Sequence, residues 1–211
     1  MPTLYVETNF IVETNFIVGY AVGQRSKHDD ILRAAAARSL ELRIPEVCVM
    51  EAYAAIDRMI SDYNVLGNAL RSRLKQLRRS VSSSAAAVAV SSLESARLDL
   101  ASVDADVLTR RDFVLRCLAK DAHFFSIDPG WFWDAGRRTT IDPPRDSLIA
   151  DSIIQDGAKL EAKAVYYTEN TSDFDTPAVR AALLASGVKL TEDLNIAVSF
   201  AEGHRAWSSI T

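Results

Sequence analysis

Acidic side chains at three kinds of place in this chain have the types and spacing for metal-ion chemistry. Asp146 follows Pro143-Pro144-Arg145 and precedes Ser147-Leu148-Ile149-Ala150, the head of an apolar helical stretch. Asp173 follows the apolar run Val165-Tyr166-Tyr167 and the polar segment Thr168-Glu169-Asn170. A glutamate, Glu7 or Glu13, closes each copy of a strand-like run near the N-terminus, and Glu51 lies among Met50, Ala52, Ala54 and Ala55. An acid in apolar surroundings needs a partner. Brought together, such anions repel, by roughly 4 kcal/mol per pair at 4 Å and an effective dielectric of about 20. A divalent cation offsets that repulsion, and hard oxygen donors suit Mg²⁺ or Mn²⁺. An ion of this kind acidifies water and neutralises charge on a phosphate under attack.

The elements that must deliver these acids follow from the pattern. Val6-Glu7-Thr8-Asn9-Phe10-Ile11 is repeated at once as Val12-Glu13-Thr14-Asn15-Phe16-Ile17. Each copy is strand-like and ends in polar residues suited to a helix start. Helix is expected over 29–41, a short strand at Leu42-Arg43-Ile44-Pro45, and helix from Val47 to Tyr63. A further helix spans 64–80, with Leu66, Leu70, Leu74, Leu77 and Val81 within about 80° of one another. Its other side carries Arg71, Lys75, Arg78 and Arg79. That basic face is either a solvated helix side or a track for phosphates. Ala89, Leu93, Ala96, Leu100, Val103 and Val107 form a heptad-like seam in the next long helix. Thr109-Arg110-Arg111-Asp112 resembles a capping box and predicts a helix restart there. Residues 64–120 thus read as a helical hairpin, an arm or insertion on a single domain spanning 1–211, and its seam suits a homodimer or the neighbouring helix.

Strands at 123–127, 164–168 and 188–190 alternate with helices opening at Asp146, Pro177 and Glu192, with Gly187 as a C-cap. Alternation of this kind predicts an α/β fold, a parallel sheet with helices on both faces. Ligands of such sheets gather at the carboxyl ends of the strands.

Composition bounds the function. The 211 residues carry a net charge of −4, with 48% apolar and 25% charged residues. A coat for nucleic acid is excluded by that charge, while a basic groove near an acidic centre is not. Cys48 and Cys117 read as reduced and buried, with no zinc-binding spacing. His28, His123 and His204 lie far apart and read as surface or packing residues. No apolar run reaches the length of a membrane span, and the N-terminus has no basic leader, so a cytoplasmic protein without membrane contact is expected.

The order of V-E-T-N-F-I-V, Glu51, R-D-S-L-I-A and Y-Y-T-E-N-T-S-D-F resembles that of PIN domains. The likeness covers 1–60 and about 121–200. It implies a Rossmann-like PIN fold and a Mg²⁺- or Mn²⁺-dependent endoribonuclease acting on single-stranded RNA, of the type found as the toxin of a toxin–antitoxin pair with a protein inhibitor. Glu13, Glu51, Asp146 and Asp173 then hold the metal and carry catalysis. Asn15, Thr168 and Asn170 contact substrate or its water, and Arg71, Lys75 and Arg78 guide RNA. Glu13 is preferred to Glu7, because the surplus copy is then displaced to the N-terminus, where disorder costs little. The chain departs from the family in having Glu for Asp at the first position, Asn170 where many relatives carry a second aspartate, and 64–120 with no counterpart in the minimal core. A structure-specific DNA nuclease, and a degenerate PIN module that binds RNA or scaffolds, are the alternative readings. Asp146 also suits a helix N-cap, Asp173 a turn, Asp151 a surface or supporting place, Thr14 an orienting or capping role, and Trp131 and Trp133 either core packing or base stacking.

Overall fold

The computed structural model describes residues 9–23, 27–80, 82–126, 128–130 and 144–201. Glu7, Val81, Trp131, Trp133 and His204 lie outside them. The chain runs β1 (Asn9–Ile11), α1 (Thr14–Ala21), α2 (His28–Ala36), β2 (Glu41–Pro45), α3 (Glu46–Leu77), α4 (Ser84–Asp121) and β3 (Ala122–Phe125). It continues through α5 (Pro144–Gly157), β4 (Ala164–Tyr167), α6 (Thr171–Phe174), α7 (Pro177–Ala185), β5 (Val188–Thr191) and α8 (Leu194–Ala201).

All four strand pairings are parallel, and the order is β3-β2-β1-β4-β5. Such an order belongs to doubly wound sheets, with its switch point between β1 and β4. Crossovers between parallel strands are right-handed. The chain steps outward from β1 to β3 and then returns to β4 and β5, so its helices fall on opposite faces. Accordingly α1, α2 and α3 pack with α4, while α5 packs with α7. The α/β class and the parallel sheet expected from the alternation are present.

Strand burial is what a doubly covered sheet requires. Every residue of β4 is buried, as are Ile11 of β1 and Leu42 and Ile44 of β2. Arg43, between the latter two, points to the opposite face. There its guanidinium is bound by Asp156 of α5 through Nε and Nη2, both at 2.7 Å. Glu41 also bonds Arg43, and the Phe125 ring lies 5.8 Å from Cζ.

Several expectations are corrected. One unbroken helix, α3, covers the two expected over 47–63 and 64–80. Helix α4 does not restart at Thr109, whose hydroxyl instead donates to Ala105 O at 2.8 Å, one turn back. The hairpin is an elongation of the crossover between the paired strands β2 and β3, since Val114 and Leu118 of α4 belong to the main core. Its inner seam contains Leu74, while Leu66 is 48% exposed. Cys48 is buried, whereas Cys117 is only partly so, and both are free thiols. Helix α5 opens at Pro144, so Asp146 falls inside its first turn and is not the N-cap. Asp151 is buried, not a surface residue. No helix among the described residues is long and apolar enough to cross a membrane.

Two glycines make opposite predictions. A Cβ on Gly157 would lie 2.4 Å from Val188 Cγ2 and 3.1 Å from the Ser186 carbonyl. Helix α5 can approach the start of β5 only without a side chain there. Gly157→Ala is expected to cost about 1–3 kcal/mol by overpacking. Gly67, inside α3, has nothing within 4 Å of its added Cβ. Gly67→Ala is expected to stabilise by about 1 kcal/mol through helix propensity. Urea unfolding of both variants checks the pair; equal signs would contradict the packing described.

Candidate active site at the carboxyl ends of β1 and β4

The register Ile11↔Tyr166 carries the chain from β1 and from β4 side by side to the carboxyl edge of the sheet. Two residues further along each, Glu13 and Thr168 face one another, and both are buried. The Thr168 hydroxyl donates to Glu13 Oε1. It accepts in turn from the Asn170 N–H at 3.0 Å, which fixes its proton toward the carboxylate. Asn15 Nδ2 approaches the same Glu13 oxygen at 3.4 Å, a weak contact. Glu13 occupies the N-cap position of α1 with extended backbone, but its side chain caps nothing. Its carboxylate is turned into the site instead.

The second acid comes from α3. Thr14 donates its hydroxyl to Glu51 Oε2 at 2.6 Å. Thr14 therefore orients Glu51, not the neighbouring Glu13. The third acid, Asp146, is buried in the first turn of α5, where the helix N-terminus favours negative charge.

Burial pushes the Glu13 carboxyl up to about 7. The Thr168 hydroxyl and the Glu169 N–H oppose that rise, while the charges of Asp146 and Glu51 add to it. The Tyr166 hydroxyl, fully buried beneath the site, is also pushed well up by desolvation, with Glu13 and Asp146 contributing. Burial raises the Cys48 thiol as well, with Glu13 and Glu51 adding to the effect. A thiol so placed is protonated and is no nucleophile. The fields of Glu13, Glu51 and Asp146 thus meet in one region.

The remaining expected residues are placed as follows. Asp173 lies on the single-turn α6, partly exposed, next to buried Phe174, whose ring meets Tyr166 edge-on at 5.6 Å. Asn170 precedes that turn and accepts from the Ser172 hydroxyl at 2.9 Å. Arg71, Lys75 and Arg78 are exposed in the outer part of the hairpin. Counting along α3 from Glu51, they are about 30–40 Å from the acids at 1.5 Å per residue. They cannot touch the phosphate that the acids touch.

A cation would find hard carboxylate donors here, already held by hydroxyl donors and raised in energy by mutual repulsion. The donor chemistry fits Mg²⁺ or Mn²⁺. Among the described residues, however, no three His, Cys, Asp or Glu side chains are gathered closely enough to hold a metal ion as they stand. The cavity of about 580 Å³ between α2 and α4, lined by Leu32, Phe113 and Cys117, contains none of these acids.

Sequence reasoning named Thr14 and Thr168 but not the acids they hold, and gave Glu169 no role. The Thr14–Glu51 bond and the Thr168–Glu13 bond join residues far apart in the chain, which no local pattern reports. Glu169, whose carboxylate accepts from the Tyr167 hydroxyl at 2.6 Å, carried no signal beyond its place after an apolar strand. No family model, curated protein or solved structure matches this chain.

Proposed function

We propose that this protein is a PIN-like, Mg²⁺- or Mn²⁺-dependent endoribonuclease that cleaves single-stranded RNA. The observation that carries the reading is Glu13, a buried carboxyl raised to about 7 at the switch point of the sheet, with Asp146 and Glu51 acting on it. Strongly perturbed acids in such a position mark functional sites. Glu13, Glu51 and Asp146 would hold the ion, with Asp173 reaching it from α6. When bound, the ion supplies charge neutralisation at the scissile phosphate and a more acidic water as nucleophile.

The chain's own residues do the rest. Thr168, fixed by the Asn170 N–H, keeps one Glu13 oxygen turned toward β4. Thr14 keeps Glu51 from swinging to solvent. With the ion bound, its charge would hold Glu13 ionised, and one of the carboxylates would accept the proton of the attacking water. Asn15 and Asn170 offer amide donors to phosphate oxygens at the rim, whereas the buried Thr168 gives its only proton to Glu13. The substrate beyond that point is single-stranded in this reading, since an unpaired backbone can bend into a buried site. A toxin role, with a protein inhibitor covering the acids, is the corresponding biological setting.

Purified protein incubated with labelled single-stranded RNA is expected to cleave with Mn²⁺ and to stop with chelator. Equal cleavage in both conditions would sink the metal chemistry. A parallel panel of flap and duplex DNA separates ribonuclease from structure-specific DNA nuclease. Calorimetric titration with Mn²⁺ separates either from a catalytically inert RNA-binding module, which takes up no ion at Asp146.

A further inference from the structure

The outer half of the α3–α4 hairpin is basic, on a chain that as a whole is acidic. Residues 64–98 contain six cations, Arg71, Arg73, Lys75, Arg78, Arg79 and Arg97, and one carboxylate, Glu94, a net charge of +5. The whole chain carries −4, so everything outside this stretch amounts to −9. The five cations from Arg71 to Arg79 are exposed. Among the described residues Arg78 alone of the six forms an ion pair, with Glu94. Arg71 and Arg73 reach only neutral partners, Asn68 at 3.2 Å and Gln76 at 3.1 Å. Uncompensated charge of one sign, gathered on one element, is what a polyanion partner requires.

The direction of these cations matters as much as their number. At 100° per residue, Asn64, Asn68, Arg71, Lys75 and Arg78 fall within about 80° of arc on α3. The pairs Arg78–Glu94 and Arg111–Asp57 join this side to the side of α4 that carries Arg97, which falls between Glu94 and Arg111 around that helix. The carboxylates here are Glu94 and, nearer the body, Asp57 and Asp112, which hold Arg111, and the partly buried Asp104. Asp62, Asp99 and Asp106 lie on the opposite side, together with Arg73. The exposed Val65 and Leu66 fall outside the arc, so the basic side of α3 is polar from 64 to 78. Arg71 and Lys75 are one turn apart, about 6 Å at 1.5 Å per residue. That is close to the separation of neighbouring phosphates in an extended strand.

We infer that this side of the arm binds the phosphate backbone of single-stranded RNA, at a place separate from the acids. Counted along α3 from Glu51, Arg71, Lys75 and Arg78 point about 120–180° away from it around the axis. The arm is therefore an anchor for a distant part of a long strand and not a wall of the cleavage site. A protein or membrane partner would call on apolar side chains, and this side of α3 presents none. No aromatic residue occurs from 64 to 98, so bases find no stacking platform and the contact is to phosphates, indifferent to sequence. The choice of RNA as the strand rests on the nuclease reading, whereas the phosphate contact itself does not.

Fluorescence anisotropy of a labelled oligouridylate of about 20 nucleotides, titrated with the full chain in chelator, tests it. Micromolar binding is expected at 50 mM salt; with about four phosphates neutralised, it weakens roughly 50-fold by 200 mM. Two variants that change the net charge equally separate place from charge. Arg71→Ala with Lys75→Ala is expected to weaken binding at least tenfold and to flatten the salt dependence. Arg73→Glu, on the opposite side, is expected to weaken it less than threefold. Thermal melts monitor folding, and the salt series on the unaltered chain decides without any variant. Absence of binding at 50 mM salt overturns the inference, and so does an equal loss in the two variants. Binding of phosphatidylserine vesicles or polyglutamate in place of RNA overturns it too, assigning the arm to a membrane or an acidic protein. Single-stranded DNA bound at least tenfold more tightly than RNA overturns the choice of RNA. Cleavage is read separately, in Mn²⁺. Binding that depends on Arg71 and Lys75 without any cleavage supports the anchor and removes the nuclease reading. Cleavage with binding indifferent to those two residues removes the anchor and keeps the nuclease.

Discussion

Glu13→Gln is expected to stabilise the metal-free protein at pH 8 while reducing RNA cleavage to background. The Glu13 carboxyl rises from 4.5 to about 7 on folding, chiefly through burial. A carboxyl raised in this way favours the folded state while protonated. Its contribution is fully present below about pH 4.5 and is lost as pH rises through about 7, after which it is flat. The loss is on the order of 3 kcal/mol at 1.36 kcal/mol per pKa unit. Glutamine keeps an oxygen to accept from Thr168 and carries no charge, so most of that loss is recovered at pH 8. For a chain of this size the gain corresponds to a rise in melting temperature of several degrees, about 2–4 °C per kcal/mol. Near pH 4.5 the two proteins should melt together. Mn²⁺ at pH 8 should stabilise the parent and leave the variant almost unmoved. Chemical unfolding of both proteins from pH 4.5 to 8, with and without Mn²⁺, checks every part. A variant less stable than the parent at pH 8 would show that the Glu13 charge is already compensated.

Asp156→Ala is expected to be the most destabilising single substitution, at about 3–5 kcal/mol. Arg43 and Asp156 are both buried, and their two bonds are the bidentate kind that arginine makes best. Removing the aspartate leaves a guanidinium inside the sheet with only the partly exposed Glu41 beside it. An uncompensated buried charge is what makes breaking such a pair costly. Replacing both residues, Arg43→Met with Asp156→Leu, is expected to be close to neutral, because no charge is then stranded. Denaturant midpoints of the single and double variants measure this contrast. A double variant as unstable as the single one would place the cost in packing instead of charge.

Much of the fold was legible because its signals are local. Apolar runs and helical periods located the strands and most helices, and Gly187, at φ +82°, closes α7 one residue past its C-cap Ser186. The two errors in the hairpin also have local causes. Asn64 and Gly67 are weak helix formers near the expected boundary. Yet α3 continues through them, because α4 packs along its length. Thr109 offered a capping signature, but inside a continuous helix its hydroxyl finds the carbonyl one turn back more readily. The site was legible as a set of acids and not as an arrangement. Glu13, Glu51 and Asp146 were each visible as anions in apolar or helix-opening contexts. That Thr168 holds Glu13, that Thr14 holds Glu51, and that Asp156 neutralises Arg43 depends on strand register and crossover, and those are properties of the assembled sheet.

The long connection between β2 and β3 also bears on how the chain finds its native state. These neighbouring strands are separated in sequence by all of 46–121, and closing so long a loop carries an entropic penalty before any pairing contact is made. The hairpin removes most of that separation. Its two helices meet through contacts close to the short connection from Leu77 to Ser84, and helices form far faster than distant strands pair. Zippering inward from that connection brings Pro45 and Ala122 together as a by-product. Early-forming protection from hydrogen exchange is therefore expected in the arm, ahead of β1 and β4, whose partners lie 155 residues apart in the chain.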